Sequence, residues 1–336
     1  MTTPGISIAL CTYNGAQFLD QQLASLFGQT LPPNEIVICD DGSTDNTIAI
    51  VQQWQQQQPG IIRLYQNASN LGFGLNFKQA IEYCTQDLIF LSDQDDVWLP
   101  EKIAEMSSWL QAHLHCNGLF CNGRLMDEHN QIQPTTIWDA TYGHASLSHE
   151  LPPAHFFPWL CFNNNFIIGA SMAIRRSAVP DIFNSWLPDE PWHDFIIALK
   201  LSLNGTLAAT DAQLMYYRQH SSQTCGLQGH FQRSHTIAFA RQCWQQQWQG
   251  LDMQEVVRYF AFGLSNMERY RLLLVQTTEE EMQFQQGYAI ALAKLKRATQ
   301  HWLAPMPWWR RKKKLLKHYL KGGEYLRTNL ADVLSM

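Results

Sequence analysis

The first hundred residues alternate between short apolar runs and longer segments in which apolar positions recur every three or four residues. The apolar runs 6–11, 35–39, 61–65 and 88–91 consist mainly of Ile, Val, Leu and Cys, and they predict buried strands. The segments between them predict helices. Nearly apolar strands that alternate with helices indicate a parallel sheet covered on both faces, so we expect an α/β fold.

Local signals suggest where these helices begin and end. The first helix should present Phe18, Leu23 and Leu26 on one face and stop before Pro32. The second should be capped by residues 43–45, which are Ser, Thr and Asp.

The pattern changes after Pro100 and again near residue 235. It predicts strands at 119–126 and 166–174, a helix at 194–203, and extended chain at 206–210 and 214–218. From about residue 235 the spacing is helical, and Gln, Arg and Leu are abundant.

We therefore expect a catalytic domain over residues 1–230, with a nucleotide-binding part (1–110) and an acceptor-binding part (111–230). Residues 231–336 should form a helical C-terminal region.

Composition narrows the class of protein. Of the 336 residues, 46% are hydrophobic, which is enough for a large core, and the formal net charge of −5 gives no reason to expect a nucleic-acid partner. The eight cysteines contain no C-x-x-C pair, which favours reduced, buried thiols in a cytoplasmic protein. His113, His115, Cys116 and Cys121 could be imagined as a zinc site, but their spacing fits no standard pattern. Neither a secretory signal nor a long apolar run is visible.

Polar clusters follow the predicted strands. They comprise Thr12-Tyr13-Asn14, Asp40-Asp41, Asn70 and Asp93 to Asp96. Ligands of open α/β sheets bind beyond the carboxyl ends of the strands, so these clusters should share one site.

The cluster at Asp93, Asp95 and Asp96 holds three carboxylates within four residues. Such repulsion is tolerated when a cation lies between them, and hard oxygen ligands suit Mg²⁺ or Mn²⁺ with phosphates and water completing the coordination. The alternative is a solvated acidic turn before a helix. A carboxylate at Asp40 or Asp41 could accept a hydrogen bond from a pyrimidine N3–H, or could belong to an ordinary capped turn.

Together these strings resemble glycosyltransferase family 2 in order and spacing. The matching strings are Cys11-Thr12-Tyr13-Asn14-Gly15, Asp40-Asp41-Gly42-Ser43-Thr44-Asp45, Asn70-Leu71-Gly72 and Ser92-Asp93-Gln94-Asp95-Asp96-Val97-Trp98. The resemblance covers residues 5 to about 225. It implies the GT-A fold, an αβα sandwich around a mostly parallel sheet with a C-terminal helical extension here, and transfer with inversion at the anomeric carbon.

The resemblance also implies roles for single residues. Asp194 would be the general base. The nucleotide sugar would be bound by Thr12, Tyr13, Asn14, Asp40, Asp41, Asn70, Gly72, Asp93 and Gln94. The metal would be held by Asp95, with Asp93 and His220, and the acceptor side would include Trp192, His193, Gly169 and Ser171.

Physical chemistry supports a base at Asp194, because an attacking hydroxyl must lose its proton and a helix N-terminus stabilises a carboxylate. The alternatives are that Asp194 is only a helix cap, or that the neighbouring His193 is the base.

The strings around Asp93 to Trp98, His193-Asp194 and Tyr217-Arg218-Gln219-His220 look most like the rhamnosyltransferase branch. The resemblance implies dTDP-β-L-rhamnose as donor and a cell-surface polysaccharide or lipid-linked glycan as acceptor. A UDP- or GDP-linked donor, or a non-catalytic sugar-nucleotide sensor, stays open. A sugar-phosphate nucleotidyltransferase is disfavoured because the first turn lacks a Gly-rich basic loop.

The C-terminal segment 302–318 places Trp302, Trp308 and Trp309 beside a basic run. This combination suits the interface of an anionic membrane, so we expect peripheral contact with the inner face of the cytoplasmic membrane. The alternative is an exposed helix whose tryptophans pack on the catalytic domain.

Overall fold

A computed structural model describes residues 4–141, 156–163, 165–186, 192–223, 239–240 and 242–304. The chain divides into two compact units. The first contains Met1–Phe156 and Asn165–Ser234, and the second contains Phe157–Asn164 and His235–Met336. The expected domain boundary near residue 230 stays a prediction.

The first unit begins with four parallel strands and three helices, as the apolar pattern predicts. The strands are β1 (Ile6–Thr12), β2 (Glu35–Asp40), β3 (Ile62–Gln66) and β4 (Leu88–Ser92). They lie in the order β3-β2-β1-β4. The helices between them are α1 (Leu19–Phe27), α2 (Thr47–Gln57) and α3 (Phe73–Tyr83). Side chains of β1, β2 and β4 are buried on both faces, which explains why these strands are almost wholly apolar.

Two helix ends differ in detail from expectation. Helix α1 ends at Phe27, before Pro32, because Gly28 follows it and donates its N–H to the carbonyl of Ala24. Helix α2 begins at Thr47, whose backbone N–H donates to Asp45 Oδ1 at 3.0 Å. One of the three predicted capping residues therefore holds the first turn.

The remaining elements extend the sheet to nine strands and make it mixed. They are β5 (Val97–Trp98), α4 (Lys102–Ala112), β6 (Gly118–Asp127), β7 (Ile132–Thr136), α5 (Ile137–Thr141), β8 (Met172–Arg175), α7 (Val179–Asn184), α8 (His193–Leu203) and β9 (Leu207–Gln219). Helix α6 (Phe156–Asn163) comes between α5 and β8 in the chain and belongs to the second unit from Phe157 onward. The strand order is β3-β2-β1-β4-β8-β6-β9-β5, and β7 pairs with β6. Strand β8 runs antiparallel to both β4 and β6.

The predicted strand 166–174 is wrong over most of its length. Gly169–Ser171 forms a 3₁₀ turn, and the strand begins only at Met172. This turn lies at the start of β8 and brings Gly169 next to the first turn of α8, where Asp194 lies.

The second unit is helical where it is described. Helix α9 (Met253–Leu274) is capped by Asp252, and helix α10 (Thr278–Leu303) starts with a capping box between Thr277 and Glu280. No helix in the described part of the chain is long and apolar enough to span a membrane. The segment 302–318, expected at a membrane, lies outside the described residues from residue 305 onward.

Candidate active site

The carboxyl ends of β1, β2 and β4 hold the predicted polar clusters at one edge of the sheet. Thr12, Asp40 and Ser92 are the last residues of these strands. Parallel pairing sets Thr12 directly beside Asp40, and Thr12 Oγ1 donates to Asp40 Oδ2 at 2.8 Å.

Asp40 organises its own turn. Its carboxylate accepts hydrogen bonds from the Ser43 N–H at 2.9 Å and from the Gly42 N–H at 3.2 Å. Because Asp40 is buried and accepts its hydrogen bonds from neighbouring protein groups, its role is to hold the turn in position.

Asp41 gathers the predicted Asn70 and Gly72 around itself. Its Oδ1 accepts from Asn67 Nδ2 and from the Leu71 N–H, both at 2.8 Å, and its Oδ2 accepts from the Gly72 N–H at 2.9 Å. Asn70 Nδ2 donates to the carbonyl of Asp41 at 3.1 Å. Sequence reasoning missed Asn67, although it follows strand β3 just as Asp40 ends β2.

The turn after β1 is fixed from two sides. Gln94 binds the Tyr13 backbone twice, accepting from its N–H at 2.9 Å and donating to its carbonyl at 3.1 Å. Asn14 adopts a positive φ of 47°, and its Oδ1 accepts from the Thr44 N–H at 2.8 Å. Gln94, predicted to bind the nucleotide sugar, therefore uses its amide to hold this turn. The Tyr13 ring stays about half exposed, with 48% of its surface accessible.

The acidic turn contains one direct side-chain pair, between His220 Nε2 and Asp95 Oδ2 at 2.7 Å. Burial, and then the charges of Asp95 and Asp194, raise the pKa of Asp93. Asp96 is fully buried and accepts the Arg218 N–H at 3.0 Å. Its pKa is also raised, by burial and then by Asp95 and Asp93. The charge of Lys102 opposes both shifts, because it lowers the pKa of Asp93 and of Asp96.

The predicted metal set of Asp93, Asp95 and His220 is not assembled as a three-ligand cluster. No three carboxylate, imidazole or thiol groups converge in this way anywhere in the described part of the chain, including around His113 and Cys116. The physical reason is that burial and the charge of Asp95 both disfavour an ionised carboxylate at Asp93. Asp95 and His220 are already together, so a cation at this turn would need oxygen ligands from outside the protein.

Two buried cations near the turn were missed. Arg218 is 0% exposed, and its guanidinium donates to the Asp95 carbonyl at 2.6 Å, to Gln21 Oε1 and Asn130 Oδ1 at 2.7 Å, and to the Asp127 carbonyl at 3.2 Å. It therefore fixes the backbone of the residue that contacts His220.

The second is Lys102. Its ammonium donates to the Ala170 carbonyl at 2.6 Å and lies 3.8 Å from the centroid of the Trp98 ring. Burial lowers its pKa to about 8. The only sequence signal was position, because Arg218 lies within the string Tyr217 to His220 and Lys102 lies four residues after Trp98.

Asp194 lies in the first turn of α8, facing the 3₁₀ turn. Its Oδ2 accepts the Gly169 N–H at 3.1 Å, and its Oδ1 accepts the Phe195 N–H at 2.7 Å. Two backbone donors therefore set the orientation of this carboxylate. A Cβ at Gly169 would come within 2.6 Å of His193 Nε2, so glycine is required for this close approach.

His193 and Ser171 do not present their side chains to a ligand as expected. His193 is 6% exposed and stacks on Phe77 with ring centroids 3.8 Å apart, and neither ring nitrogen has a hydrogen-bond partner among the described residues. Burial lowers its pKa to about 3, so the ring is neutral at pH 7. The Ser171 hydroxyl donates to the Ile168 carbonyl at 2.7 Å, which turns it away from solvent. Trp192, in contrast, is 41% exposed.

Comparison with known proteins identifies the family of the chain. Residues 7–183 match the family described as "Glycosyl transferase family 2". An uncharacterised glycosyltransferase of Nostoc is 28% identical over 229 residues, 65% of this chain. The chain spans 65% of that relative's length. A dTDP-rhamnosyl transferase, RfbG of Shigella flexneri, is 38% identical over 98 residues, which are 28% of this chain and 34% of the relative.

Two solved structures share the fold. Staphylococcus aureus TarS in complex with UDP-GlcNAc gives a TM-score of 0.53 at 13% identity, covering 90% of this chain and 82% of TarS. The mannosyltransferase PcManGT of Pyrobaculum calidifontis, in complex with GDP-Man and Mn²⁺, gives a TM-score of 0.52 at 15% identity, covering 98% of this chain and 83% of PcManGT. The mixed α/β sheet followed by C-terminal helices is thus a GT-A-like fold, and the chain belongs to glycosyltransferase family 2.

Proposed function

We propose that the protein is an inverting, metal-dependent glycosyltransferase that moves L-rhamnose from dTDP-β-L-rhamnose to a hydroxyl of a cell-surface polysaccharide or lipid-linked glycan. The observation that carries the proposal is that two functional groups lie close to Asp93. One is the pair of Asp95 and His220, in contact at 2.7 Å, and the other is Asp194; the charges of Asp95 and Asp194 both raise the pKa of Asp93, after burial. One end of this arrangement suits a diphosphate and the other suits an acceptor.

The chemistry of the acidic turn fits a divalent cation bound together with the donor. Asp95 and His220 offer oxygen and imidazole ligands. Burial, and then the charges of Asp95 and Asp194, raise the pKa of Asp93, and a cation would oppose that shift. Mg²⁺ or Mn²⁺ held there would neutralise charge on the departing diphosphate. The Mn²⁺ in the structure of PcManGT supports this choice.

Asp194 acts as the general base in the proposed reaction. The acceptor hydroxyl oxygen forms a bond to the anomeric carbon from the face opposite the diphosphate, and the bond from that carbon to the diphosphate oxygen breaks. The hydroxyl proton passes to the Asp194 carboxylate, so the configuration inverts and dTDP leaves. The hydrogen bonds from Gly169 and Phe195 hold the carboxylate in place for this step.

The hydrogen bonds that the Asp41 carboxylate already accepts favour a pyrimidine base as its ligand. A carboxylate has about four acceptor positions, and the contacts to Asn67, Leu71 and Gly72 occupy three of them. One position on Oδ2 is left, which matches the single N3–H of thymine or uracil. Guanine presents an N1–H and an amino group on the same edge and would leave one donor without a partner.

The Shigella dTDP-rhamnosyl transferase supports rhamnose as the sugar, over the 98 residues that match. A UDP-linked sugar is the nearest alternative, because the Asp41 geometry accepts uracil equally well and TarS was solved with UDP-GlcNAc.

A thermal-shift comparison of dTDP-rhamnose, UDP-GlcNAc and GDP-mannose, with and without Mn²⁺, tests the donor. A donor that binds only the folded chain stabilises it by about 2.7 kcal/mol at a hundredfold excess over its Kd. We expect the largest shift with dTDP-rhamnose and Mn²⁺. A shift with GDP-mannose alone would overturn the pyrimidine assignment.

Replacing Asp194 by Asn tests the base. Transfer and dTDP release should fall at least about a hundredfold, because a positioned base contributes that much, while stabilisation by dTDP-rhamnose persists. Asp20→Asn is a matched control, since Asp20 lies in the first turn of α1 and an Asn oxygen still accepts the bond from Trp54 Nε1. Full activity of the Asp194→Asn variant would refute this role.

A further inference from the structure

Two aromatic rings pair at the surface where helices α3 and α8 begin. The Trp192 ring lies 5.2 Å from the Phe73 ring between centroids, with an interplanar angle of 54°. Trp192 is 41% exposed and Phe73 is half-buried, so both rings retain surface that a ligand could cover. Exposed indole surface is costly in water, and a covered aromatic ring contributes more than almost any other side chain to binding.

Each ring of the pair is close in the chain to a residue of the proposed site, Phe73 to Gly72 and Trp192 to Asp194. Phe73 directly follows Gly72, whose N–H donates to Asp41. Trp192 precedes Asp194 by two residues, so its Cα lies at most about 7.6 Å from that of the proposed base. A group that gives its proton to Asp194 is therefore within reach of the indole ring.

A second aromatic pair beneath the first fixes its position. One helical turn after Phe73, Phe77 stacks on His193 at 3.8 Å with an interplanar angle of 13°, and both rings are buried. Helices α3 and α8 are thus packed together directly under the exposed pair. The exposed rings are held in place before any ligand arrives, which lowers the entropic cost of binding.

We propose that Trp192 and Phe73 form a subsite for a pyranose ring of the acceptor, with its C–H face against the indole and the accepting hydroxyl directed to Asp194. This inference rests on the proposed function, because Asp194 defines the acceptor side. Two rings inclined at 54° match a sugar, which offers both an apolar face and an apolar edge. An anionic lipid surface fits poorly, because the Asp194 carboxylate lies only two residues from Trp192.

Fluorine NMR of the full chain labelled with 5-fluorotryptophan tests the subsite. The chain has 12 tryptophans, and the signal of Trp192 is the one lost in a Trp192→Phe variant. The probes are methyl α-L-rhamnopyranoside, methyl β-D-glucopyranoside and methyl N-acetyl-β-D-glucosaminide, each titrated at millimolar concentrations with dTDP and Mn²⁺ present. We expect at least one pyranoside to shift the Trp192 signal in a saturable way.

Phe73→Ala should weaken that saturation about tenfold, since it removes one of the two apolar contacts. Tyr83→Ala is the matched control. Tyr83 is a similarly exposed aromatic at the opposite end of α3, and it pairs with Tyr65 at 4.3 Å. The control should leave the titration unchanged.

Three results would overturn the subsite. They are a Trp192 signal that no pyranoside moves, a signal that moves only with anionic phospholipid vesicles, and equal losses in the Phe73→Ala and Tyr83→Ala variants. Failure of the proposed function is distinguishable, because it appears as absent stabilisation by any nucleotide sugar. Donor stabilisation together with a silent Trp192 signal would leave the enzyme assignment standing and remove only the subsite.

Discussion

Replacing Gly169 by Ala should impair catalysis while leaving the fold and the donor site intact. The added Cβ would lie 2.6 Å from His193 Nε2, 3.3 Å from His193 Cε1 and 3.4 Å from the Asp194 Cβ. The Gly169 N–H also donates to Asp194. One methyl group therefore presses on the proposed base and on its neighbour.

The magnitude follows from these distances. Ordinary contact begins at 3.4 Å, so the clash of 2.6 Å requires a movement of about 0.8 Å. His193 has little room to retreat, because Phe77 stacks on it at 3.8 Å. Overpacking of this kind costs about 1–3 kcal/mol of unfolding free energy. A base displaced by about 1 Å costs about a hundredfold in rate.

The assay is release of dTDP from the proposed donor, dTDP-rhamnose, measured together with the thermal shift that this donor causes. We expect kcat to fall about a hundredfold with little change in donor affinity, because Asp41 and Asp95 are untouched. A second substitution, His193→Ala, should restore part of the rate in the Gly169→Ala background, since it removes the atoms that clash.

Gly5→Ala is the control, because its Cβ would meet chiefly the flexible side chain of Gln86. A Gly169→Ala variant with full activity would refute the reasoning. So would a double variant no faster than Gly169→Ala alone, because the clash with His193 would then not be the cause.

Two further predictions concern buried groups. Burial lowers the pKa of His193 to about 3, so between this value and the unfolded pKa of about 6.5 only the unfolded chain holds the extra proton. The free energy of unfolding, measured with urea, should therefore fall by about 2 kcal/mol when the pH is lowered from 7 to 5. The His193→Phe variant should not show this loss. Arg218→Lys should lower the free energy of unfolding by at least about 2 kcal/mol, because one ammonium cannot donate to the Asp95 carbonyl, Gln21 and Asn130 together. A free energy of unfolding within about 0.5 kcal/mol of the wild-type value would contradict the role of Arg218 in fixing the Asp95 backbone.

The apolar pattern predicted the central strands well because β1, β2 and β4 are buried on both faces. Such strands cannot tolerate polar residues, so their sequence signal is strong. Strand β5 has only two residues and pairs with β9 through Val97 and Trp98, which gives it no periodicity to detect. The order of the strands depends on contacts far apart in the chain and carries no local signal.

The location of the polar clusters in the fold was predictable, but the contacts between their side chains were not. Polar residues after strands identified the edge where Asp41 and Asp95 lie, because chain order alone brings the carboxyl ends together. The contacts that hold these residues were not predictable, because the Arg218 guanidinium reaches the Asp95 backbone carbonyl across 123 residues of sequence. The burial of His193 was also missed, because a histidine beside an acidic motif is expected to face the ligand.

The double hydrogen bond between Gln94 and the Tyr13 backbone joins the two loops that the proposed function assigns to the base and to the cation. Tyr13 belongs to the turn after β1, and Gln94 lies between Asp93 and Asp95. Any ligand that orders one loop therefore restricts the other before that loop has bound anything. If the loops bind as proposed, thermodynamic linkage requires that the base change the affinity for the cation by the same factor by which the cation changes the affinity for the base, so this amide would make donor and metal binding mutually dependent.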